Sequence, residues 1–266
     1  MRFVKAAVCL SVLLAISGCS EKENTDSYLV KAKNYIKENK VNESVIELKN
    51  AIRTDINNGE ARFLLGRTYL NQGNGVDAVK ELERAQELKY SNELLIPLLA
   101  RAYILTDSDD DVIALTDAAK SLKTEALTQY LAYKTLAALR SEQVGIAQTS
   151  AQLSKSIMLN SFYSLLAEAY IVFSENKFEQ ASVIVKDILA ISAENPDALM
   201  LQGQIATAMK DYGLAAKSFE HYLLVQPKSV IVQFLLADSL LKSEQFEKAE
   251  QYADAILASV STQPFA

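Results

Sequence analysis

A spacing of 34 residues recurs along this chain, and it constrains the fold more than any other feature. Counted from Gly59, position 8 is Gly66, position 11 is Tyr69 and position 20 is Ala78. The corresponding residues one period earlier are Ala32, Tyr35 and Ser44, and one period later they are Ala100, Tyr103 and Val112. A second run, which starts at Phe162, Pro196 and Val230, has Ala169, Gly203 and Ala237 at position 8. A fixed period of this length indicates a linear array of repeated supersecondary units.

The composition predicts that these units are helical. The chain is 50% hydrophobic and 23% charged, but it contains only 8 glycines and 4 prolines. Because all-β and α/β proteins need many tight turns, this shortage of turn-forming residues favours an all-α fold with short links. The net charge of -6 gives no electrostatic footprint for nucleic acid, so we expect no nucleic-acid partner.

The period and the small residues at positions 8 and 20 resemble the tetratricopeptide repeat (TPR), a helix–turn–helix unit. The resemblance implies a superhelical solenoid of about seven units, whereas HEAT or armadillo repeats would show periods of about 40–47 residues. The units fall near residues 25–58, 59–92, 93–127, 128–161, 162–195, 196–229 and 230–263, within one array over 25–266. The fourth unit is degenerate, with Thr135 at position 8 and Ala147 at position 20.

Gly66 is expected to have a packing role, because glycine inside a helix costs about 1 kcal/mol relative to alanine. In a two-helix unit, position 8 lies where the helices meet, and a larger side chain would push them apart. We therefore predict that Gly66 packs directly against the second helix of its own unit. Position 11 and the second helices are predicted to supply the core between units, and not a cofactor pocket, through Tyr35, Tyr69, Tyr103, Leu48, Leu82 and Ala85.

The N-terminal segment predicts export and a lipid anchor. Arg2 and Lys5 precede an apolar run over residues 6–16, which is too short to span a membrane, and small residues follow it. The stretch "AISGC" resembles the lipobox of bacterial lipoproteins, which implies cleavage of residues 1–18, lipidation of Cys19 and a short linker over 19–24. Ser20, in the place where aspartate retains lipoproteins at the inner membrane, favours the outer membrane of a Gram-negative cell. The alternative is an ordinary cleaved signal that contains Cys19.

The sequence shows no constellation of catalytic or metal-binding residues, so we predict neither an enzyme nor a cofactor. His221 is the only histidine, which excludes a paired-histidine metal site. The acidic run over residues 107–111 lacks the glycine and glutamate that a calcium loop needs at its sixth and twelfth positions, so its aspartates are predicted to cap the following helix. Glu81 and Glu83 are predicted to lie on solvated faces.

A closer resemblance covers about residues 19–120. The segments "IELKNA", "EARFLLG" and "PLLARA" in the first three units resemble the N-terminal portion of the TPR lipoproteins associated with the exosortase and PEP-CTERM protein-sorting system, which are typically longer. The resemblance implies a non-catalytic outer-membrane scaffold that faces the periplasm and recruits protein partners in exopolysaccharide-linked protein sorting. Two alternatives stay open. One is a pilotin-like lipoprotein of pilus assembly, although an "NNYG"-like segment is absent, and the other is an accessory subunit of a cell-wall enzyme.

The binding residues are predicted from position 9 of each unit, which points toward the concave groove of a TPR array. This column contains Lys33, Arg67 and Arg101 in the first three units, then Leu136 and Tyr170. We predict that the three basic residues bind an acidic peptide or an anionic polysaccharide, and that Leu136 and Tyr170 form an apolar middle. A merely solvated basic face is the alternative.

The C-terminal helix, predicted over residues 248–259, has no following unit to cover it. Tyr252, Ile256 and Leu257 are therefore expected to be incompletely buried. Because solenoids need a polar terminal surface to stay soluble, we expect weak self-association, or a partner, at this end.

Overall fold

A computed structural model describes residues 24–261, so the predicted signal segment, Cys19 and the last five residues lie outside the described part. The described residues form fifteen helices. In order, these are α1 (Thr25–Lys37), α2 (Val41–Thr54), α3 (Gly59–Asn71), α4 (Gly75–Glu87), α5 (Asn92–Leu105), α6 (Asp109–Ala114), α7 (Thr116–Ala119), α8 (Thr124–Arg140), α9 (Val144–Ile157), α10 (Phe162–Ser174), α11 (Phe178–Ile191), α12 (Pro196–Ala208), α13 (Tyr212–Val225), α14 (Val230–Lys242) and α15 (Phe246–Ser261).

The helices pack in the order of the chain. Each odd-numbered helix from α1 to α5 contacts the helix that follows it, α8 contacts α9, and the same pattern continues to α14 against α15. The resulting helical hairpins are called repeats 1 to 7, and repeat 3 differs because its second helix is divided into α6 and α7. The prediction of an all-α repeat solenoid is confirmed. No helix within residues 24–261 is long and apolar enough to cross a membrane.

Gly66 is a point of close helix contact, as predicted. A Cβ atom at this position would lie 2.7 Å from Cγ of Leu82 in α4, which is closer than side chains approach each other. The equivalent Gly203 has the same role, because its Cβ would lie 2.3 Å from Cε1 of Phe219. The nearest partner of position 8 is therefore position 24 of the same repeat, which lies on the second helix. The small Ala78 at position 20 of this repeat is fully buried.

The apolar core follows the chain in three consecutive clusters, whose buried members span residues 29–137, 132–205 and 199–249. The predicted core residues on the second helices are fully buried, and Tyr69 and Tyr103 are buried too, whereas Tyr35 is only half-buried. Each cluster joins neighbouring repeats, which is the pattern expected of a solenoid.

The prediction that the acidic run caps a helix is wrong. Ser108 is the N-cap residue of α6, and no side chain makes a capping hydrogen bond there. Instead, Arg140 of α8 pairs with Asp107, and its Nε lies 3.1 Å from Oδ2 of Asp109. Burial raises the pKa of Asp109, against the opposing effect of Arg140. The aspartates therefore tie repeat 3 to repeat 4.

Two predictions of exposure are also wrong. Glu81 is buried, because Arg62 of the preceding helix holds its carboxylate at 2.7 Å, whereas Glu83 is exposed as expected. At the C-terminal end, the expectation of incomplete burial is wrong for Ile256, which is only 5% exposed. It holds for Tyr252, which is half-buried against the last core cluster, and for Leu257, which is 67% exposed.

Candidate functional site

The predicted basic column does not form a free positive strip. Lys33 pairs with Glu60 of α3, with 2.8 Å between Nζ and Oε1. The guanidinium of Arg67 lies over the ring of Phe63, 5.6 Å from its centre. Arg101 is 7% exposed and is paired with a carboxylate. Two of the three cations thus already have acidic partners, which weakens the predicted site for an anionic ligand.

Arg101 of α5 contacts α12, a helix that lies three repeats farther along the solenoid. Its Nε donates to Asp197 of α12, at 2.8 Å from Oδ1 and 3.1 Å from Oδ2, and the hydroxyl of Tyr133 donates to Oδ2 at 2.8 Å. Burial lowers the pKa of Arg101, but attraction to Asp197 outweighs it, so the pKa is raised overall. Burial also raises the pKa of Tyr133 well above its ordinary value. The guanidinium is therefore charged and the phenol neutral.

A second contact crosses the solenoid near the end of α3. The buried Gln226 donates from Nε2 to the carbonyl oxygen of Leu70 at 3.1 Å, and it accepts from the hydroxyl of Tyr222 at 2.7 Å. The backbone N–H of Lys228 donates to the carbonyl oxygen of Gln72 at 3.0 Å. Carbonyl groups in the last turn of a helix have no partner within the helix. The loop after α13 therefore caps the C-terminal end of α3 from 156 positions away.

These two contacts together are called the clasp, and they connect repeats 2, 3 and 4 to repeat 6 and the loop that follows it. Its members are Arg101, Tyr133, Asp197, Gln226, Lys228 and the carbonyls of Leu70 and Gln72. In a solenoid, each repeat ordinarily contacts only its neighbours. The clasp therefore closes the array of repeats 2 to 6 into a ring.

Two cavities lie against the clasp, and each has clasp residues in its lining. The apolar cavity, of about 520 Å³, is lined by Leu105, Leu136, Tyr170, Met200, Ile231 and Leu235, among others. The second cavity, of about 590 Å³, is called the polar cavity because Asn39, Asn71, Gln129, Tyr133, Tyr163 and Gln226 bring polar groups to its wall, although apolar residues such as Leu98 and Val225 line it too. Both volumes fall within the range of small-ligand and peptide-anchor pockets.

The structure places the predicted groove residues in different surroundings. Leu136 and Tyr170 line the apolar cavity, and Arg101 lines the polar cavity. Lys33 and Arg67 are absent from the described linings of both cavities. The apolar part of the predicted groove is thus brought together, but the basic part is not.

The apolar cavity carries little unbalanced charge. Arg140 on its wall is paired with Asp107, Asp197 is paired with Arg101, and Nζ of Lys228 donates to Oε1 of Gln72 at 3.0 Å. The two ion pairs are neutral overall, whereas Lys228 keeps its charge because its described partner on this wall is the neutral amide of Gln72. An occupant with an apolar, uncharged surface fits this cavity better than an anion does.

Sequence reasoning missed Asp197 and Gln226, the two central residues of the clasp. Asp197 stands in the first turn of α12, two residues after the capping Asn195, so its sequence context indicates a helix start and nothing more. Gln226 follows the last residue of α13. The period of 34 residues reports contacts within and between adjacent repeats, and it carries no signal for a contact that crosses the ring.

Comparisons with known proteins agree with this architecture. A family model described as tetratricopeptide repeat matches residues 29–92 and 200–264, at the two ends of the array. The structure is similar to a TPR protein from Parabacteroides merdae, with 13% identity and a TM-score of 0.52 over 88% of this chain and 92% of that one. It is also similar to PilW, a type IV pilus biogenesis factor, with 16% identity and a TM-score of 0.53 over 80% of this chain and 98% of that one. The chain therefore carries TPR repeats and folds as a TPR solenoid.

A larger assembly protein shares the fold as well. Similarity to a chain of the APC/C hetero-tetramer Cut9-Hcn1, at 14% identity and a TM-score of 0.50, covers 83% of this chain but only 44% of that one. At these identities the similarity shows the fold alone. A search of curated proteins found no match. Within the described residues, no group of histidine, cysteine, aspartate and glutamate side chains could hold a metal ion.

Proposed function

We propose that this protein is a lipid-anchored scaffold of the bacterial envelope that binds a segment of a protein partner inside its ring. The observation that carries the proposal is the apolar cavity, because it is built from the inward-facing side chains of a fold that serves protein–protein interaction. The outer-membrane anchor at Cys19 and the role in exopolysaccharide-linked protein sorting are supported by "AISGC" and by the resemblance over residues 19–120.

The chemistry of the cavity narrows the class of partner segment. Lys33 and Arg101 have acidic partners within the chain, so an acidic peptide or an anionic polysaccharide would have to displace them. An uncharged segment with apolar side chains needs no such exchange. Half-exposed Val230 and Ile231 extend the apolar wall at the mouth of the cavity. We therefore favour an apolar, uncharged segment over the anionic ligand that the basic column predicted.

Site-specific photocrosslinking in the native bacterium tests this function. Gln204 is exposed and lines the apolar cavity, so a photoreactive phenylalanine analogue in its place should crosslink one defined partner. The same analogue in place of Lys186, which is exposed on α11, is the matched control. Adding Leu136→Asp should abolish the product from the Gln204 position. Equal products from both positions, or none from Gln204, would contradict the proposal.

The anchor has its own test. Radiolabelled palmitate should enter the wild-type chain and the Cys9→Ser variant, because Cys9 lies within the predicted signal segment. Labelling should be lost in Cys19→Ser, since no other cysteine then follows the lipobox-like stretch. Labelling of Cys19→Ser at the wild-type level would remove the lipid anchor from the proposal.

A role in pilus biogenesis is the second candidate, and the similarity to PilW over nearly the whole of that chain favours it. The identity of the crosslinked partner separates the two. A partner encoded beside an exosortase and polysaccharide genes supports protein sorting, whereas a pilus secretin or pilin supports the second candidate.

A further inference from the structure

We propose that the clasp is a gate: it closes the ring in the resting protein, and its opening joins the apolar and polar cavities into one continuous groove. The effect on partner entry rests on the proposed function, whereas the closing and opening of the ring do not. Three independent features of the molecule support the gate.

The first feature is the position of the clasp between the cavities. Gln226 and Pro227 line the polar cavity, whereas the next two residues of the same loop, Lys228 and Ser229, line the apolar cavity. Asp197 lines both cavities. The loop and Asp197 thus form the partition, and their withdrawal from α3 and α5 would remove it.

The second feature is Gly73, in the turn between the helices of repeat 2. At this turn position every repeat has a residue with positive φ, and the other six residues are Asn39, Asp107, Glu142, Asn176, Lys210 and Glu244, with φ between 55° and 62°. The turn itself therefore does not require glycine. Gly73 differs in its neighbours, because a Cβ there would lie 3.1 Å from Cβ of Gln226 and 3.2 Å from Cβ of Ser229. Glycine is needed here for the close approach of the clasp loop.

The third feature is the polar character of the contacts across the ring. The apolar clusters run along consecutive repeats, whereas the clasp is made of an ion pair and hydrogen bonds. Water can replace such partners when the clasp opens, so opening returns Arg101 and Asp197 to solvent without exposing an apolar core. A contact of this kind opens more readily than a packed apolar interface of the same extent.

Hydrogen exchange in Gly73→Asn tests the gate in the full chain. Asparagine occupies the same turn position in repeats 1 and 5, so the turn tolerates it, but its Cβ would displace the clasp loop. In the wild type, the amide of Lys228 should exchange slowly because it donates to Gln72. In Gly73→Asn it should exchange at least about tenfold faster, while amides of α10 and α11 keep their rates. The matched control is Glu142→Asn, at the same turn position away from the clasp, which should leave Lys228 protected.

An engineered disulfide, which should hold the clasp closed, gives a second test of the gate. In a chain with Cys9→Ser and Cys19→Ser, the pair Gly73→Cys and Ser229→Cys should oxidise. A shift of a few tenths of an ångström takes their Cβ atoms from 3.2 Å to the separation of about 3.5–4.5 Å that disulfides adopt, and the S–S bond then holds the displaced loop beside repeat 2. Gly145→Cys with Ser229→Cys is the control that should stay reduced, since no heavy atom lies within 4 Å of a Cβ at Gly145.

The joining of the cavities can be followed by fluorescence, because the chain contains no tryptophan. Tyr163→Trp places one reporter in the polar cavity. Acrylamide should quench it more strongly when Gly73→Asn is added and least when the disulfide is closed. Fast exchange of Lys228 in the wild type, failure of the disulfide to form, or quenching that does not respond to Gly73→Asn would each overturn the gate. Failure of crosslinking from Gln204 with these three results intact would instead contradict the proposed function.

Discussion

Arg101 and Asp197 are 96 positions apart in the chain, yet two hydrogen-bond distances of 2.8 and 3.1 Å join the guanidinium Nε of one to the carboxylate of the other. The two residues lie on α5 and α12, in repeats 3 and 6, so two whole repeats stand between them along the solenoid. Their side chains are 8% and 13% exposed, so the pair is almost fully withdrawn from water. A buried pair of this kind specifies which surfaces meet more than it stabilises them.

Removal of Asp197 should show whether the clasp can open and return Arg101 to water. Asp197→Leu leaves the cation of Arg101 without its carboxylate, and we expect the free energy of unfolding to fall by about 1–3 kcal/mol. Removing one partner of an ion pair that is fixed in a core costs roughly 3–5 kcal/mol. We expect a smaller loss here, because an opened clasp returns the unpaired Arg101 to water. Arg101→Met together with Asp197→Leu should recover most of the loss in urea unfolding at 25 °C.

The control for this prediction is the exposed pair of Asp238 and Lys242 on α14, whose side chains are about half exposed. Asp238→Leu should change the free energy of unfolding by less than about 1 kcal/mol. If Asp197→Leu had no larger effect than Asp238→Leu, the Arg101 pair would not be buried in solution.

Overpacking at Gly66 should destabilise repeat 2. Gly66→Ala would gain about 1 kcal/mol of helix propensity, but its Cβ would meet Leu82 at 2.7 Å. We expect a net loss of about 1–3 kcal/mol, and a larger one for Gly66→Leu. Gly145→Ala on α9 is the control, because nothing lies within 4 Å of its Cβ, and it should leave stability unchanged or higher. Thermal unfolding followed by circular dichroism measures both, and equal midpoints would argue against the contact with Leu82.

The sequence predicts those features that depend on neighbours in the chain. The period located the helical hairpins, and Gly66 indicated a close contact because a costly residue in a helix needs a packing reason. The acidic partners of the basic column were not foreseen, because position 9 fixes only the face of the helix on which Lys33 and Arg101 lie. Whether a cation on that face meets solvent, Glu60 or Asp197 depends on the pitch of the superhelix. That pitch is the sum of small rotations between repeats, which no single position in the sequence records.

Gly73 shows what the sequence could have revealed. Six of the seven equivalent turns use a non-glycine residue at positive φ, so the one glycine marks a close approach from elsewhere in the chain. Gln226, the residue that approaches Gly73, has no comparable signal in the sequence. The sequence could therefore predict that another segment packs closely against the turn of repeat 2, but it could not identify that segment.

Alkaline pH should destabilise the ring through its buried tyrosines. Burial, with the nearby charge of Asp197, raises the pKa of Tyr163 to about 12, and burial raises the pKa of Tyr133 and Tyr170 still further. Since these groups lose protons more readily when unfolded, their contribution to stability is complete below pH 10 and declines above it. We expect the free energy of unfolding to fall between about pH 10 and 12. The slope should be shallower in Tyr163→Phe, and an unchanged slope would mean that Tyr163 is not buried beside Asp197.

The clasp should also determine how cooperatively the solenoid unfolds. In an array with nearest-neighbour contacts only, the two ends can unfold separately. The apparent slope of unfolding free energy against urea concentration is then smaller than the slope expected when the whole chain unfolds in one step. Gln226 couples repeat 6 to the distant repeat 2, because its amide joins Tyr222 to the carbonyl of Leu70. Gln226→Ala should therefore lower both the urea midpoint and the slope of the transition.

The matched control for Gln226 is Gln202→Ala, which removes a hydrogen bond of similar length, 2.9 Å between Oε1 of Gln202 and Oγ of Ser218, within repeat 6. This change should shift the midpoint but keep the slope, because no contact between distant repeats is lost. Fluorescence and far-UV circular dichroism, recorded on the same samples, should give one transition for Gln202→Ala and diverging transitions for Gln226→Ala. If both variants keep the wild-type slope and a single transition, the ring does not couple repeat 2 to repeat 6, and the solenoid unfolds as an open array would.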